Sequence, residues 1–206
     1  MPNYSHGLAG IVRALADASR ALDRADLADA ARHGAEHLVT LAPRAVLDDG
    51  GFAVAREIPH WKPESDEFAW NWCHGPPGLL LMLVALGECG EDQLAGEPIG
   101  SWIDRCLHSL KTSGIPERRY PGFWDNDGQC CGTAGVGSAV LPLGSAMAPA
   151  LADVLVERAY VEGDRAYWRF IEHRNEEPLL PPGVGWTQGV AGIAGFLFEI
   201  SARLPA

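Results

Sequence analysis

The chain has 206 residues, 47% of them apolar, and a formal charge of −11. An acidic surface of this kind repels nucleic-acid phosphates and anionic lipids, which excludes both as partners. No apolar run approaches the roughly 20 residues of a membrane span, and Met1-Pro2-Asn3-Tyr4-Ser5 opens without the basic and apolar regions of a secretion signal, so the chain reads as cytoplasmic.

An internal repeat organises the sequence. A Gly-x-x-Gly element opens an apolar run four times: Gly7-Leu8-Ala9-Gly10, Gly75-Pro76-Pro77-Gly78, Gly132-Thr133-Ala134-Gly135 and Gly189-Val190-Ala191-Gly192. The first glycines are 68, 57 and 57 residues apart. The runs behind them are apolar nearly all round, which predicts helices buried on both sides. Between them lie stripes of helical period: Leu27, Ala31, Leu38 and Leu41, then Trp102, Ile103, Cys106, Leu107 and Leu110, then Leu151, Val154, Leu155 and Ala159. Each repeat therefore predicts an inner helix opened by a glycine loop and an outer amphipathic helix. Asp48-Asp49-Gly50-Gly51 and Asn126-Asp127-Gly128 read as turns, and a short strand near Phe52-Ala53-Val54 carries no sheet. Pro142 and Gly144 interrupt the third inner helix and predict a shortened repeat. Stacked helix pairs of this kind form a solenoid or a closed α/α toroid.

The chemistry collects just before the glycines. The two residues preceding each first glycine are Ser5-His6, Cys73-His74, Cys130-Cys131 and Thr187-Gln188. Parallel inner helices place these pairs at one end of the bundle, so Cys73, Cys130, Cys131, His6 and His74 share a level. Adjacent cysteines in a reducing compartment point to metal or catalysis rather than to a disulfide. Thiolate and imidazole donors suit zinc, with a fourth position open in catalytic sites. Cys89 and Cys106 fall inside apolar helical patterns and read as core residues. His33, His37, His60, His108 and His173 lack the register and read as surface or packing residues. Trp70, Trp72, Phe123, Trp124 and Trp186 precede the glycine loops and are expected to wall the opening.

The segments Ser5-His6-Gly7-Leu8-Ala9-Gly10, Trp72-Cys73-His74-Gly75, Cys130-Cys131-Gly132-Thr133-Ala134-Gly135 and Gly185-Trp186-Thr187-Gln188-Gly189 resemble successive motifs of lanthionine synthetase C-like proteins, almost end to end. The resemblance implies an all-α fold, a partial α/α toroid spanning residues 1–206 as one domain, with repeats starting near residues 5, 73, 130 and 187. The family's domain has about seven helical hairpins, so four motifs imply its C-terminal part, with the open ends of the helical arc a route to self-association. The resemblance also implies a zinc ion held by Cys73, Cys130 and Cys131. The family often carries histidine where Cys131 stands. His6 matches its proton-transfer histidine, and His74 stands where many members have a tyrosine.

The activity implied is addition of a precursor-peptide cysteine to a dehydroalanine or dehydrobutyrine, forming a thioether. Three other readings stay open. One is the same chemistry with a small thiol such as glutathione. Another is a zinc-bound module without catalysis. The last is a sugar-processing toroid, which needs paired carboxylates and finds only Asp125 and Asp127 near the opening.

Overall fold

The computed structural model describes residues 1–41, 46–61, 66–117, 126–169 and 181–203. They form two units, Met1–Ser113 and Gly114–Ala206.

In the first unit, α1 (Leu8–Leu22) and α2 (Ala25–Leu41) form a hairpin, followed by α3 (Pro76–Glu88) and α4 (Ile99–Thr112). α1 packs on α2 and α3, and α3 packs on α4. In the second unit, α5 (Thr133–Val140) packs on α6 (Met147–Arg158) and on α7 (Val190–Ser201). α1, α3, α5 and α7 are the inner helices of the repeat, while α2, α4 and α6 are the outer ones. The fold is helical, as the periodicity predicts.

The glycines are explained by how each inner helix starts. At every first glycine the backbone is extended and folds back on itself. A Cβ there would collide with the carbonyl six residues earlier: that of Met1 at Gly7, Ala69 at Gly75, Asn126 at Gly132 and Gly183 at Gly189. The second glycine repeats the constraint, with the carbonyls of Tyr4, Trp72 and Trp186 behind Gly10, Gly78 and Gly192. Only a residue without a side chain allows such close approach. The amide of the next residue closes the turn seven residues back: Leu8 to Met1 (3.1 Å), Thr133 to Asn126 (3.2 Å) and Val190 to Gly183 (2.9 Å). The second repeat has Pro76 at that position, which has no N–H to give and suits the first turn of a helix.

Burial follows the predicted stripes in part, with Leu27, Ile103, Leu107, Val154 and Ala159 half-buried. In α3, Leu79, Leu80, Met82, Leu83 and Leu86 are buried, each contributing about 1.5–3 kcal/mol. In α4, Trp102, Cys106 and Leu110 face the core. Trp102 also donates to the Leu94 carbonyl at 3.0 Å and meets Phe52 edge to face. α5 stops after eight residues. A 3₁₀ turn, Leu141–Leu143, carries Pro142, and Gly144 at φ 65° ends it. This is the shortened repeat that Pro142 and Gly144 predict.

Two expectations change. The terminal inner helices are not covered on both sides: Ile11 and Leu22 of α1 are 57% and 65% exposed, and Phe198 of α7 is 75% exposed. An apolar helix surface shows only that a neighbour is needed, not that it lies in the described chain. The Phe52 region forms a single bridge to Val46. The strands lie elsewhere, in two antiparallel hairpins: β1 (Gln93–Leu94) with β2 (Glu97–Pro98), and β3 (Tyr160–Glu162) with β4 (Arg165–Tyr167).

Candidate functional site

Within each unit, the two residues before the first glycine sit at matching height in neighbouring repeats. In the first unit the Ser5 amide donates to the Cys73 carbonyl at 3.0 Å. In the second the Cys130 amide donates to the Thr187 carbonyl at 2.7 Å. Both bonds join the position two before one glycine to the same position of the next repeat. The common level read from the sequence is therefore held by main-chain bonds inside each unit.

In the first unit Cys73 is 3% exposed. Its Sγ lies 2.9 Å from His74 Nδ1 and donates to Asn71 Oδ1 at 3.2 Å. Asn71 Oδ1 also accepts the His74 amide at 3.2 Å, which fixes the turn beneath the sulfur. His6, on the surface, has its ring centroid 5.9 Å from that of His74. Its amide is held by Asn3 Oδ1 at 3.1 Å, the same bond one repeat earlier. Trp72 packs edge to face on Tyr4 at 5.0 Å. Burial pushes the Tyr4 hydroxyl above its usual range, although it accepts a hydrogen bond from Arg13 at 3.0 Å.

In the second unit Cys131 is buried, Cys130 half-buried, and their Sγ atoms are 3.5 Å apart. Asn126 supports their turn by accepting the Gly128 amide at 2.7 Å and donating to Gln188 Oε1 at 2.6 Å. Asp127 is 7% exposed and pairs with Arg158 at 2.8 Å. That pairing commits its carboxylate to structure and removes it as a sugar-processing acid; Asp125, Phe123, Trp124 and His173 lie outside the described residues. Trp186 is 51% exposed.

None of the five cysteines forms a disulfide. Cys106 is fully buried, and burial pushes its thiol well above the usual range. Cys89 gives its thiol proton to the Leu86 carbonyl, and burial raises it too. Neither has the surroundings of a reactive or ligating thiolate; Cys106 is the core residue that the sequence predicts, while Cys89 is half-buried at the end of α3.

The amides that orient these turns, Asn3, Asn71 and Asn126, are not among the residues that the sequence singles out. A signal existed for two of them, since Asn3 and Asn71 both stand four residues before a first glycine.

The donors suit a thiophilic ion. Two sulfurs on one tetrahedral zinc, each bonded at about 2.3 Å, lie about 3.8 Å apart. The 3.5 Å between Cys130 and Cys131 needs little change to reach that spacing. No helix among the described residues is long and apolar enough to cross a membrane.

The sequence profile of the lanthionine synthetase C-like protein family matches residues 3–204. No curated protein matches the chain. A solved structure of a nisin cyclase is similar at TM-score 0.57 and 15% identity, over 98% of this chain and 46% of the cyclase. At that identity the likeness speaks to the fold, and this chain spans about half the length of that protein. A profile match over nearly all residues shows that the chain belongs to the lanthionine synthetase C-like family.

Proposed function

We propose that the protein carries the zinc-binding part of a thioether-forming cyclase acting on a dehydrated peptide in the cytoplasm. The observation that carries this reading is the cysteine pair Cys130–Cys131 at one helix-opening turn, with Cys73 at the equivalent position of the repeat before. Among the described residues, Cys73, Cys130 and Cys131 are the group of His, Cys, Asp and Glu side chains that could hold a metal.

Cys73, Cys130 and Cys131 would hold the zinc, and the ion would supply acidification of a substrate thiol. The chain's own residues do the rest. Cys73, Cys130 and Cys131 supply three sulfur donors, and Asn71 holds the turn that presents Cys73. His74 lies against the Cys73 sulfur and orients it. The substrate sulfur bonds to the β-carbon of a dehydroamino acid, and the carbon–carbon double bond becomes an enolate. The thiol's proton leaves to a base. His6, on the surface beside His74, returns a proton to the α-carbon as general acid. Atoms balance as a net addition of S–H across the double bond.

A second reading, a zinc-bound module without catalysis, draws support from the chain matching only 46% of the cyclase. One experiment separates the two. Purified protein is expected to hold about one zinc, with Cys73→Ala and Cys130→Ala losing most of it and Cys89→Ala keeping it. Cyclisation of a dehydroalanine peptide, followed by loss of alkylatable thiol, is expected to fail in His6→Asn while zinc is retained. Zinc bound with no thiol consumed by the parent chain, with peptide thiols or with glutathione, supports the module. Zinc content unchanged in Cys73→Ala and Cys130→Ala refutes the ligand set.

A further inference from the structure

Cys130 and Cys131 are neighbours in the turn that opens α5, and their Sγ atoms stand 3.5 Å apart. The repeat does not require such a pair. The corresponding residues elsewhere are Ser5-His6, Cys73-His74 and Thr187-Gln188, so no other repeat sets two sulfurs side by side. Cys106 is wholly buried in α4, and Cys89 ends α3 with its thiol on the Leu86 carbonyl. Cys73 completes the group of sulfurs, but its Sγ is engaged by Asn71 Oδ1 at 3.2 Å and lies 2.9 Å from His74 Nδ1. Within the pair, Cys130 is half-buried and Cys131 buried.

Adjacent cysteines are bridged only under strain. Their Cα atoms are about 3.8 Å apart across a trans peptide, below the roughly 4.4–6.8 Å of an ordinary disulfide. Joining sulfurs now 3.5 Å apart at a bond of about 2.05 Å needs rotated side chains and a bent peptide between them. The main chain on both sides resists that bend. The Cys130 amide is fixed on the Thr187 carbonyl at 2.7 Å, and the Thr133 amide on the Asn126 carbonyl at 3.2 Å. A bridge closed in this turn keeps its strain, and strained disulfides are the ones that thiols readily reopen.

We infer that Cys130 and Cys131 are a reversible oxidation site for hydrogen peroxide, and that their bridge withdraws two of the three sulfurs from the metal. The more accessible sulfur reacts first. Cys130 Sγ attacks the peroxide: an S–O bond forms, the O–O bond breaks, and the leaving hydroxide takes the thiol proton as water. Cys131 Sγ then attacks the sulfenic sulfur: the S–S bond forms, the S–O bond breaks, and a second water leaves with the Cys131 proton. Two thiols are oxidised to one disulfide and one peroxide is reduced to two waters. Where the sulfurs begin as metal thiolates, solvent supplies the two protons. The bridge leaves Cys73 as the last thiol of the group, too few sulfurs to hold a thiophilic ion. A nitrogen donor at residue 131 would suit zinc equally and could not bridge. Loss of zinc rests on the ligand set proposed above; the bridge does not.

The experiment treats the whole chain, reduced and supplied with zinc, with hydrogen peroxide. Free thiols, zinc released to a chromogenic chelator and peptide masses are followed together. The tryptic peptide Tyr120–Arg158 holds Cys130 and Cys131 and no other cysteine, so the bridge appears there as the loss of two hydrogen atoms with no second peptide attached. About one bridge per chain is expected, with zinc released in step and both changes reversed by dithiothreitol and fresh zinc. Cys131→His keeps a metal donor and lacks the second sulfur; it is expected to hold zinc and to release it at least about tenfold more slowly. Cys89→Ala is expected to follow the parent. A pair that stays reduced, that passes to sulfinic acid without bridging, that bridges to Cys73 instead, or that bridges while zinc stays bound overturns the inference. Mass mapping of the parent gives this answer even if Cys131→His does not fold. A parent that binds no zinc and still bridges upholds the oxidation site and refutes the ligand set, so the two failures are told apart.

Discussion

The two units build the same helix-opening turn with different props. In Met1–Ser113 an asparagine four residues before the first glycine accepts an amide inside the turn: Asn3 takes that of His6 and Asn71 that of His74. In Gly114–Ala206 the same position is glycine, Gly128 and Gly185. There Asn126, from just outside the turn, accepts the Gly128 amide and reaches across to Gln188 of the next repeat. The helices behind differ as well, 13 residues in α3 against eight in α5. The main-chain path and its glycines are common to both units. The props differ in what they hold: Asn3 and Asn71 accept the amide just before the first glycine, whereas Asn126 accepts the amide four residues before it.

The largest effect tests the common part. Gly75→Ala and Gly132→Ala are each expected to cost about 3 kcal/mol or more, since the new Cβ meets fixed backbone rather than a movable side chain. Thermal unfolding checks this, and an alanine tolerated in one unit alone would show that the turns are not equivalent. The props give the next effect. Asn126→Ala, which breaks bonds to two repeats, is expected to cost about 2–3 kcal/mol, and Asn71→Ala about 1–2 kcal/mol. Urea titration gives both numbers, and the reverse order would mean that the first unit depends more heavily on its asparagine. The smallest effect has the opposite sign. Among the described residues, Ser5 Oγ is buried with no hydrogen-bond partner. Ser5→Ala is therefore expected to stabilise the protein by about 1 kcal/mol, while Thr187→Ala, at the equivalent position of an exposed turn, should be close to neutral in the same melt.

The helices and their glycine starts were legible because each leaves a mark in composition: a residue without Cβ where backbones touch, and apolar residues at helical spacing where cores form. The matching height of Ser5 with Cys73, and of Cys130 with Thr187, was legible because the spacing between glycines transfers height from one repeat to the next within each unit. The hairpin at Gln93–Pro98 was not, because its turn puts Ala95 at φ 51° beside Gly96 at φ 79° and only the glycine is a turn signal. The second hairpin carries one, Gly163-Asp164 between Tyr160-Val161 and Ala166-Tyr167, but its strands of three residues each are too short to stand out beside the helical stripe of α6. The burial of Asp127 was invisible because Arg158, its partner, lies 31 residues away. The exposed apolar residues of α1 and α7 were legible only through the count of four repeats, since an apolar side chain has the same letter whether covered or not.

The bonds from Ser5 to Cys73 and from Cys130 to Thr187 use only main-chain atoms. The identity of the side chain at this position therefore has no part in holding the repeats in step. Serine, cysteine, cysteine and threonine all occupy it in one molecule. A scaffold of this kind lets single substitutions add or delete a sulfur donor without rebuilding its frame. Over evolutionary time a ligand set can then migrate around the repeats, and a member that loses its metal keeps a folded body on which another use can be selected.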